Sequence, residues 1–169
     1  GLPWVWYDAH GDFNTAETSE TGSLGGMVLA MMAGVGDLSL CRLCDLDPVS
    51  DILHVGGSEF DVGEVDRMRG AGVHVAYRAA NLDPSVVWRA QEHHLHIDTD
   101  VIRTSDLPSS IHPAPTGMRL KAFYEDISLL LPRTSVLSIK TPDPTKDVSG
   151  VGESIINTIL EMYDVATQS

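Results

Sequence analysis

Cysteine is scarce in this chain of 169 residues: Cys41 and Cys44 are the whole supply. Two thiols three positions apart make no disulfide framework, and without a second pair they make no complete zinc knuckle. Within Leu40-Cys41-Arg42-Leu43-Cys44 the leucines read as a helix with partly buried, inert thiols, and a cytoplasmic setting is the expectation. Long apolar runs are lacking too. The stretch Leu24 to Ala33 is far too short to span a bilayer, and no charged-then-apolar leader opens the chain, so no membrane association is expected. Basic residues are few, 11 Lys plus Arg against 24 Asp plus Glu, for a formal charge of −13. Such an excess repels phosphate backbones and argues against a nucleic-acid partner. Most of the acidity reads as a solubilising surface, and no repeat, linker or low-complexity tract divides the chain.

What is present is enough apolar material, 43% of residues, for one core and one domain spanning residues 1–169. Short apolar runs alternate with amphipathic segments, the pattern of an α/β fold with a mainly parallel sheet of about five strands in a three-layer α/β/α arrangement. Strands are expected at Trp4–Tyr7, Ile52–Val55, Val73–Tyr77, Leu95–Ile97 and Ser135–Ile139. Helices are expected at Leu24–Ala33, Val62–Arg69, from Asp83-Pro84-Ser85 onward, Leu120–Leu131 and Glu153–Val165. The Pro- and Ser-rich stretch Arg103–Gly117 reads as a long loop with a functional or mobile character.

Two acidic clusters stand directly after strands. Asp8-Ala9-His10-Gly11-Asp12 follows the first, and Asp98-Thr99-Asp100 follows Leu95-His96-Ile97. In such sheets ligands collect at the carboxyl ends of the strands. Converging carboxylates without a basic neighbour repel one another by several kcal/mol, and a divalent cation is the usual resolution. D-x-H-x-D alone fits a strand end followed by a helix cap as well as it fits a metal site; the second cluster at an equivalent strand end tips the reading to metal. Oxygen-rich ligands with an imidazole suit Mn2+, with Zn2+, Co2+ or Fe2+ as competitors, and so many donors fit two ions better than one tetrahedral zinc. His93 and His94 are expected ahead of the strand and solvated, whereas His96 shares the parity of Asp98 and can support the ligands.

The segment Asp8-Ala9-His10-Gly11-Asp12-Phe13-Asn14-Thr15 resembles the D-A-H-x-D-x-N-T segment of the arginase/agmatinase (ureohydrolase) family, and the likeness runs on through Thr18, Gly22, Leu24, Gly26 and Met27. His96-Ile97-Asp98-Thr99-Asp100 is similar to the family's S-x-D-x-D, with histidine in place of serine; Pro115-Thr116-Gly117, Asp61 and Glu64 add weaker support. The resemblance covers essentially the whole chain and implies the C-terminal portion of an arginase-like fold lacking its N-terminal strands. It implies that Asp8 and Asp98 bridge two Mn2+ ions, that Asp12 completes one ion's shell, and that His10 and Asp100 complete the other's. The implied activity is hydrolysis of C–N bonds in a guanidino or amidino small molecule by water activated between the ions. Asn14, Thr21, Ser23 and Asp61 are candidates for substrate contact.

Three departures from the family pattern qualify that expectation. An upstream G-G-D-H, the source of a further histidine ligand, does not precede Asp8 in the chain. Ser23-Leu24-Gly25-Gly26 replaces the proton-shuttling histidine context, and the glutamate that grips the guanidinium falls near Thr141, beside Lys140. These departures favour a redirected member or, alternatively, a catalytically silent subunit or binding module; a metal-dependent phosphoesterase is weaker, for want of a phosphate cradle. A sheet without the family's early strands would also bare an edge, at Ser135–Ile139. Either a missing N-terminal segment or a second copy in a homo-oligomer is expected to cover it.

Overall fold

The structure, a computed structural model, describes residues 2–43, 49, 51–82, 92–140 and 142–168. Five parallel strands build one sheet: β1 (Trp4–Tyr7), β2 (Ile52–Val55), β3 (His74–Ala76), β4 (His93–Asp98) and β5 (Thr134–Lys140), in the order β3-β2-β1-β4-β5. The helices are α1 (Val28–Met32), α2 (Ser39–Leu43), α3 (Glu64–Gly70), α4 (Leu120–Leu130) and α5 (Val151–Thr167). None of the described helices is long and apolar enough to cross a membrane. The expected three-layer α/β/α architecture is what the chain adopts. The helix expected from Asp83 lies outside the described residues.

Alternation along the strands sorts the core into two layers. Val5, Tyr7, Val55, Leu95 and Ile97 face one side and pack with Phe123, Ile127 and Leu130 of α4 and Ile155 and Ile159 of α5. Trp6, Ile52 and Val73 pack on the other side with Leu29 and Ala30 of α1, Met68 of α3 and Phe13. Full burial of an aliphatic side chain such as Ile97 is worth about 1.5–3 kcal/mol, so the central strands anchor whatever their ends carry.

The strand order turns on β1. The chain leaves β1 for β2 on one side and reaches β4 on the other, so a crevice opens between the carboxyl ends of β1 and β4. Asp8 follows β1 and Asp98 closes β4 in that crevice.

Three expectations need correction. His93 and His94 belong to β4 itself and are not solvated. His93 is buried at 2% exposure, and His94 stacks on Trp4 at 3.6 Å between ring centroids. The single helix expected over Leu24–Ala33 is a 3-10 turn, Gly25–Met27, followed by α1. Met27 sits outside helical geometry at φ −123°, and the Asp12 carbonyl accepts the first free amides of α1, from Leu29 (3.0 Å) and Ala30 (3.2 Å). The stretch Arg103–Gly117 is irregular as expected, but it is pinned. Arg103 and Asp106 pair at 2.9 Å, Thr104 N donates to Ala114 O at 3.1 Å, and Leu107, Ser109 and Ala114 are buried. β5 lies at the sheet edge, as expected, with Val136 43% exposed.

Candidate metal centre

Extended chain at the end of β1 delivers Asp8 into the crevice, where it is almost wholly buried. Its Oδ1 accepts the His10 amide at 2.7 Å, which turns the chain, and Trp6 Nε1 donates to its Oδ2 at 3.3 Å. Opposite, Asp98 Oδ1 accepts the Asp100 amide at 3.0 Å at the start of a 3-10 turn, Thr99–Val101. Asp100 Oδ1 in turn accepts the Ala9 amide at 3.2 Å, locking the two strand ends together. The His10 ring reaches both sides: Nδ1 lies 3.4 Å from Asp8 Oδ1 and 3.3 Å from Asp100 Oδ2. One ligand atom from each of Asp8, His10 and Asp100 lies within 4.8 Å of the others. The His10 carbonyl is held by His54 Nε2 at 2.7 Å from the neighbouring strand β2.

Asp12 reaches its place through a left-handed backbone, φ 49°, the one non-glycine residue with positive φ among those described. Its loop is clamped from below by Glu64, the first residue of α3. Glu64 is buried, and its carboxylate accepts the amides of Phe13 (2.9 Å) and Asp61 (3.0 Å) and Asn14 Nδ2 (3.3 Å). A Cβ on Gly11 would come within 2.3 Å of Glu64 Cδ, so glycine is what lets the loop lie on the carboxylate.

The electrostatics follow from four carboxylates sharing one crevice. Burial, reinforced by the charges of Asp12, Asp100 and Asp98, pushes Asp8 well above the carboxylate range. Burial and the charges of Asp98 and Asp100 raise Asp12 to about 7, against the pull of Lys140. Asp98 is raised by burial and by Asp100. Burial acts on Asp100 as well, but the His10 hydrogen bond and charge hold it below the ordinary value. Hydrogen bonds to Asp100 and Asp8 push His10 to about 10. The crevice therefore draws positive charge.

That chemistry is the test of fit for a divalent ion. Asp8, His10 and Asp100 pass it, because two buried carboxylates and an imidazole already face one point, where a divalent ion would take the place of the proton that His10 holds between them. The Asp98 side differs. Asp98 Oδ2 is taken by the ammonium of Lys140, the last residue of β5, which lies in register with it.

The expected substrate contacts fall in two groups. Asn14 is buried and committed: its amide donates to Asp61 Oδ2 (2.8 Å), while its Oδ1 accepts from Arg67 NH2 (2.7 Å) and Thr18 Oγ1 (3.0 Å). Thr21 and Ser23 are exposed on the loop above and bond to each other, Ser23 N to Thr21 Oγ1 at 3.2 Å. A cavity of about 410 Å³ lies behind this loop, lined by Asn14, Leu24, Met27, Met31 and Val35, and none of the site's carboxylates opens into it. Thr141 lies outside the described residues. His112, from the pinned loop, stands edge-on to His10 at 5.9 Å between centroids and had no signal in the sequence. His96 stacks on Trp6 at 3.8 Å and bonds Ser138 Oγ at 2.8 Å, so it buttresses the indole that donates to Asp8.

The chain is similar to known proteins in both sequence and fold. The arginase family model matches residues 2–137. An N(omega)-hydroxy-L-arginine amidinohydrolase from Streptomyces lavendulae is 37% identical over 134 residues, covering 73% of this chain and 45% of that protein. An arginase from Bacillus caldovelox is 31% identical over 141 residues, 75% of this chain and 47% of its own length. The chain thus spans about half the length of the curated relatives it matches. In fold it is similar to the solved arginase of Bacillus subtilis, with a TM-score of 0.85, 24% identity and coverage of 96% of this chain and 62% of that one. The agmatine ureohydrolase of Thermoplasma volcanium gives 0.70 at 16% identity, over 99% of this chain and 55% of that one. With a family model spanning residues 2–137 and a relative at 37% identity, the chain belongs to the arginase family.

Proposed function

We propose that this chain carries the metal-binding part of a hydrolase that cleaves a C–N bond of a guanidino or amidino small molecule. The convergence of Asp8, His10 and Asp100 at adjoining strand ends is the observation that carries the reading. The substrate class is taken from relatives named arginase, N(omega)-hydroxy-L-arginine amidinohydrolase and agmatine ureohydrolase. Asp8, His10 and Asp100 would hold the ion, with Asp12 and Asp98 completing the acidic wall; Mn2+ suits these oxygen-rich donors. A bound divalent ion supplies an acidified water and charge stabilisation.

The chain's own residues do the positioning. Asp8 and Asp100 fix the His10 ring, and the backbone bonds from Ala9 and Asp100 hold the two strand ends at one spacing. Glu64, Asn14 and Arg67 stiffen the loop that presents Asp12, and Asp61 ties into it through Asn14. The exposed Thr21 and Ser23 would meet a substrate's polar end from that loop. The β5 edge is proposed to be covered by further polypeptide, either a preceding segment or a second copy; a monodisperse monomer that unfolds cooperatively would contradict that.

The test is metal loading followed by urea release from arginine, N-hydroxyarginine and agmatine. Turnover abolished by His10→Ala supports the reading. Bound metal without turnover on any guanidino or amidino compound would make this chain a silent module of the family.

A further inference from the structure

The acidic crevice has two halves, and they are not equally open. At Asp8, His10 and Asp100 the donors face one another, and among the described residues no Lys or Arg is paired directly with Asp8 or Asp100. At Asp98 the outward oxygen, Oδ2, is already bonded to the Lys140 ammonium. That contact follows from the sheet. Asp98 and Lys140 are register partners on adjacent parallel strands, so their side chains leave the sheet on the same face, as do those of His96 and Ser138 two residues earlier. Lys140 also interacts electrostatically with Asp8, Asp12 and Asp100. One ammonium thus serves the wall that two divalent ions would otherwise share.

We propose that Lys140 is a built-in cation that occupies the Asp98–Asp12 half of the centre, so that this chain binds one divalent ion, at Asp8, His10 and Asp100, in place of a pair. The inference rests on the metal-site reading above. An ammonium and a divalent ion cannot both use Asp98 Oδ2 without placing like charges in contact, where repulsion is strong at low dielectric. Asp98 then anchors Lys140 through Oδ2 and the turn to Asp100 through Oδ1, instead of bridging ions. The chemical consequence is a centre that polarises a neutral or anionic group between one metal and one ammonium. Lys140 is half-exposed, so its cation is reachable from solvent.

The experiment titrates chelator-stripped protein with Mn2+ by calorimetry and records the Mn2+ electron paramagnetic resonance spectrum at saturation. Wild type is expected to take one equivalent and give the spectrum of an isolated ion. Lys140→Met is expected to take two and give an exchange-coupled pair, while Lys140→Arg, which keeps the cation, stays at one. Lys140→Gln repeats the neutral variant with a polar side chain, in case the methionine variant folds poorly by circular dichroism. Two equivalents in wild type would overturn the inference, and so would one equivalent in folded Lys140→Met and Lys140→Gln. No binding by wild type or any variant would instead sink the metal-site reading on which it rests.

Discussion

Replacing Glu64 by alanine should loosen the loop that carries Asp12 and lower both stability and metal affinity. The carboxylate accepts the Phe13 and Asp61 amides and Asn14 Nδ2. Asp61 is exposed and its amide can turn to water, and Asn14 Nδ2 keeps Asp61 Oδ2 at 2.8 Å. Phe13 is different: it is 1% exposed, and its N–H has no other acceptor among the bonds that hold this loop. A buried donor left unpaired costs about 1–3 kcal/mol, and the lost bonds to a charged acceptor put the total at roughly 3 kcal/mol. In urea, with an m-value of about 2 kcal/mol/M, that moves the midpoint down by about 1.5 M. Glu64→Gln keeps an oxygen for Phe13 but turns an amide donor toward the Asp61 N–H, for a loss of about 1 kcal/mol. Gly11→Ala should resemble Glu64→Ala, since its Cβ would lie 2.3 Å from Glu64 Cδ and must displace the carboxylate. Mn2+ affinity should fall by about 10- to 100-fold in both, the usual effect of removing support behind a ligand. Urea unfolding followed by circular dichroism, with calorimetric Mn2+ titration of the same samples, reads both quantities. If Glu64→Ala unfolds within about 0.5 kcal/mol of wild type, the clamp is not what holds this loop.

Two further predictions concern the scaffold. Asp126 is fully buried on α4, accepts Arg78 Nε (2.9 Å) and the Ala79 amide (2.9 Å) and pairs with Arg78 Nη2 (2.8 Å); Arg78 keeps Glu125 as a partner, so Asp126→Ala should cost about 1–3 kcal/mol, chiefly by leaving the buried Ala79 amide unmet, and a loss under about 0.5 kcal/mol in denaturant titration would contradict this. Burial, then the charges of Arg133 and His94, lower His93 to about 4 from its ordinary 6.5, so it is neutral when folded. Its stabilising contribution is present above about pH 6.5 and is lost as pH falls through 4, up to roughly 3 kcal/mol at 1.36 kcal/mol per unit. Thr134 Oγ1 donates to Leu130 O and so must accept from His93 Nε2, a bond that a glutamine amide can replace. His93→Gln should therefore flatten the acid limb of a stability-versus-pH curve, and an unchanged limb would show that His93 does not cause it.

The parts of the site readable in the sequence were those that depend on one strand at a time. Asp8 and Asp98 stand one residue past apolar runs, and a parallel sheet sends both run ends to the same edge. Lys140 was not readable as a partner of Asp98, because that requires the register of β5 on β4, and adjacent strands carry no written alignment. His93 looked solvated because the strand was expected to begin only at Leu95; β4 starts two residues earlier, and Thr134, which donates to Leu130 and bonds the His93 ring, holds it in the core. The break before α1 was hidden for a related reason. The cap is the backbone carbonyl of Asp12, sixteen residues upstream of Val28, and no side-chain pattern announces it.

Electron spin-echo spectroscopy of the Mn2+-loaded protein tests the centre most directly, because it detects an imidazole nitrogen bound to the ion. Nitrogen modulation from one imidazole, lost in His10→Gln while the fold is retained, is the predicted result. Manganese that binds without nitrogen modulation, or with modulation unchanged in His10→Gln, would show that the ends of β1 and β4 do not meet around a cation.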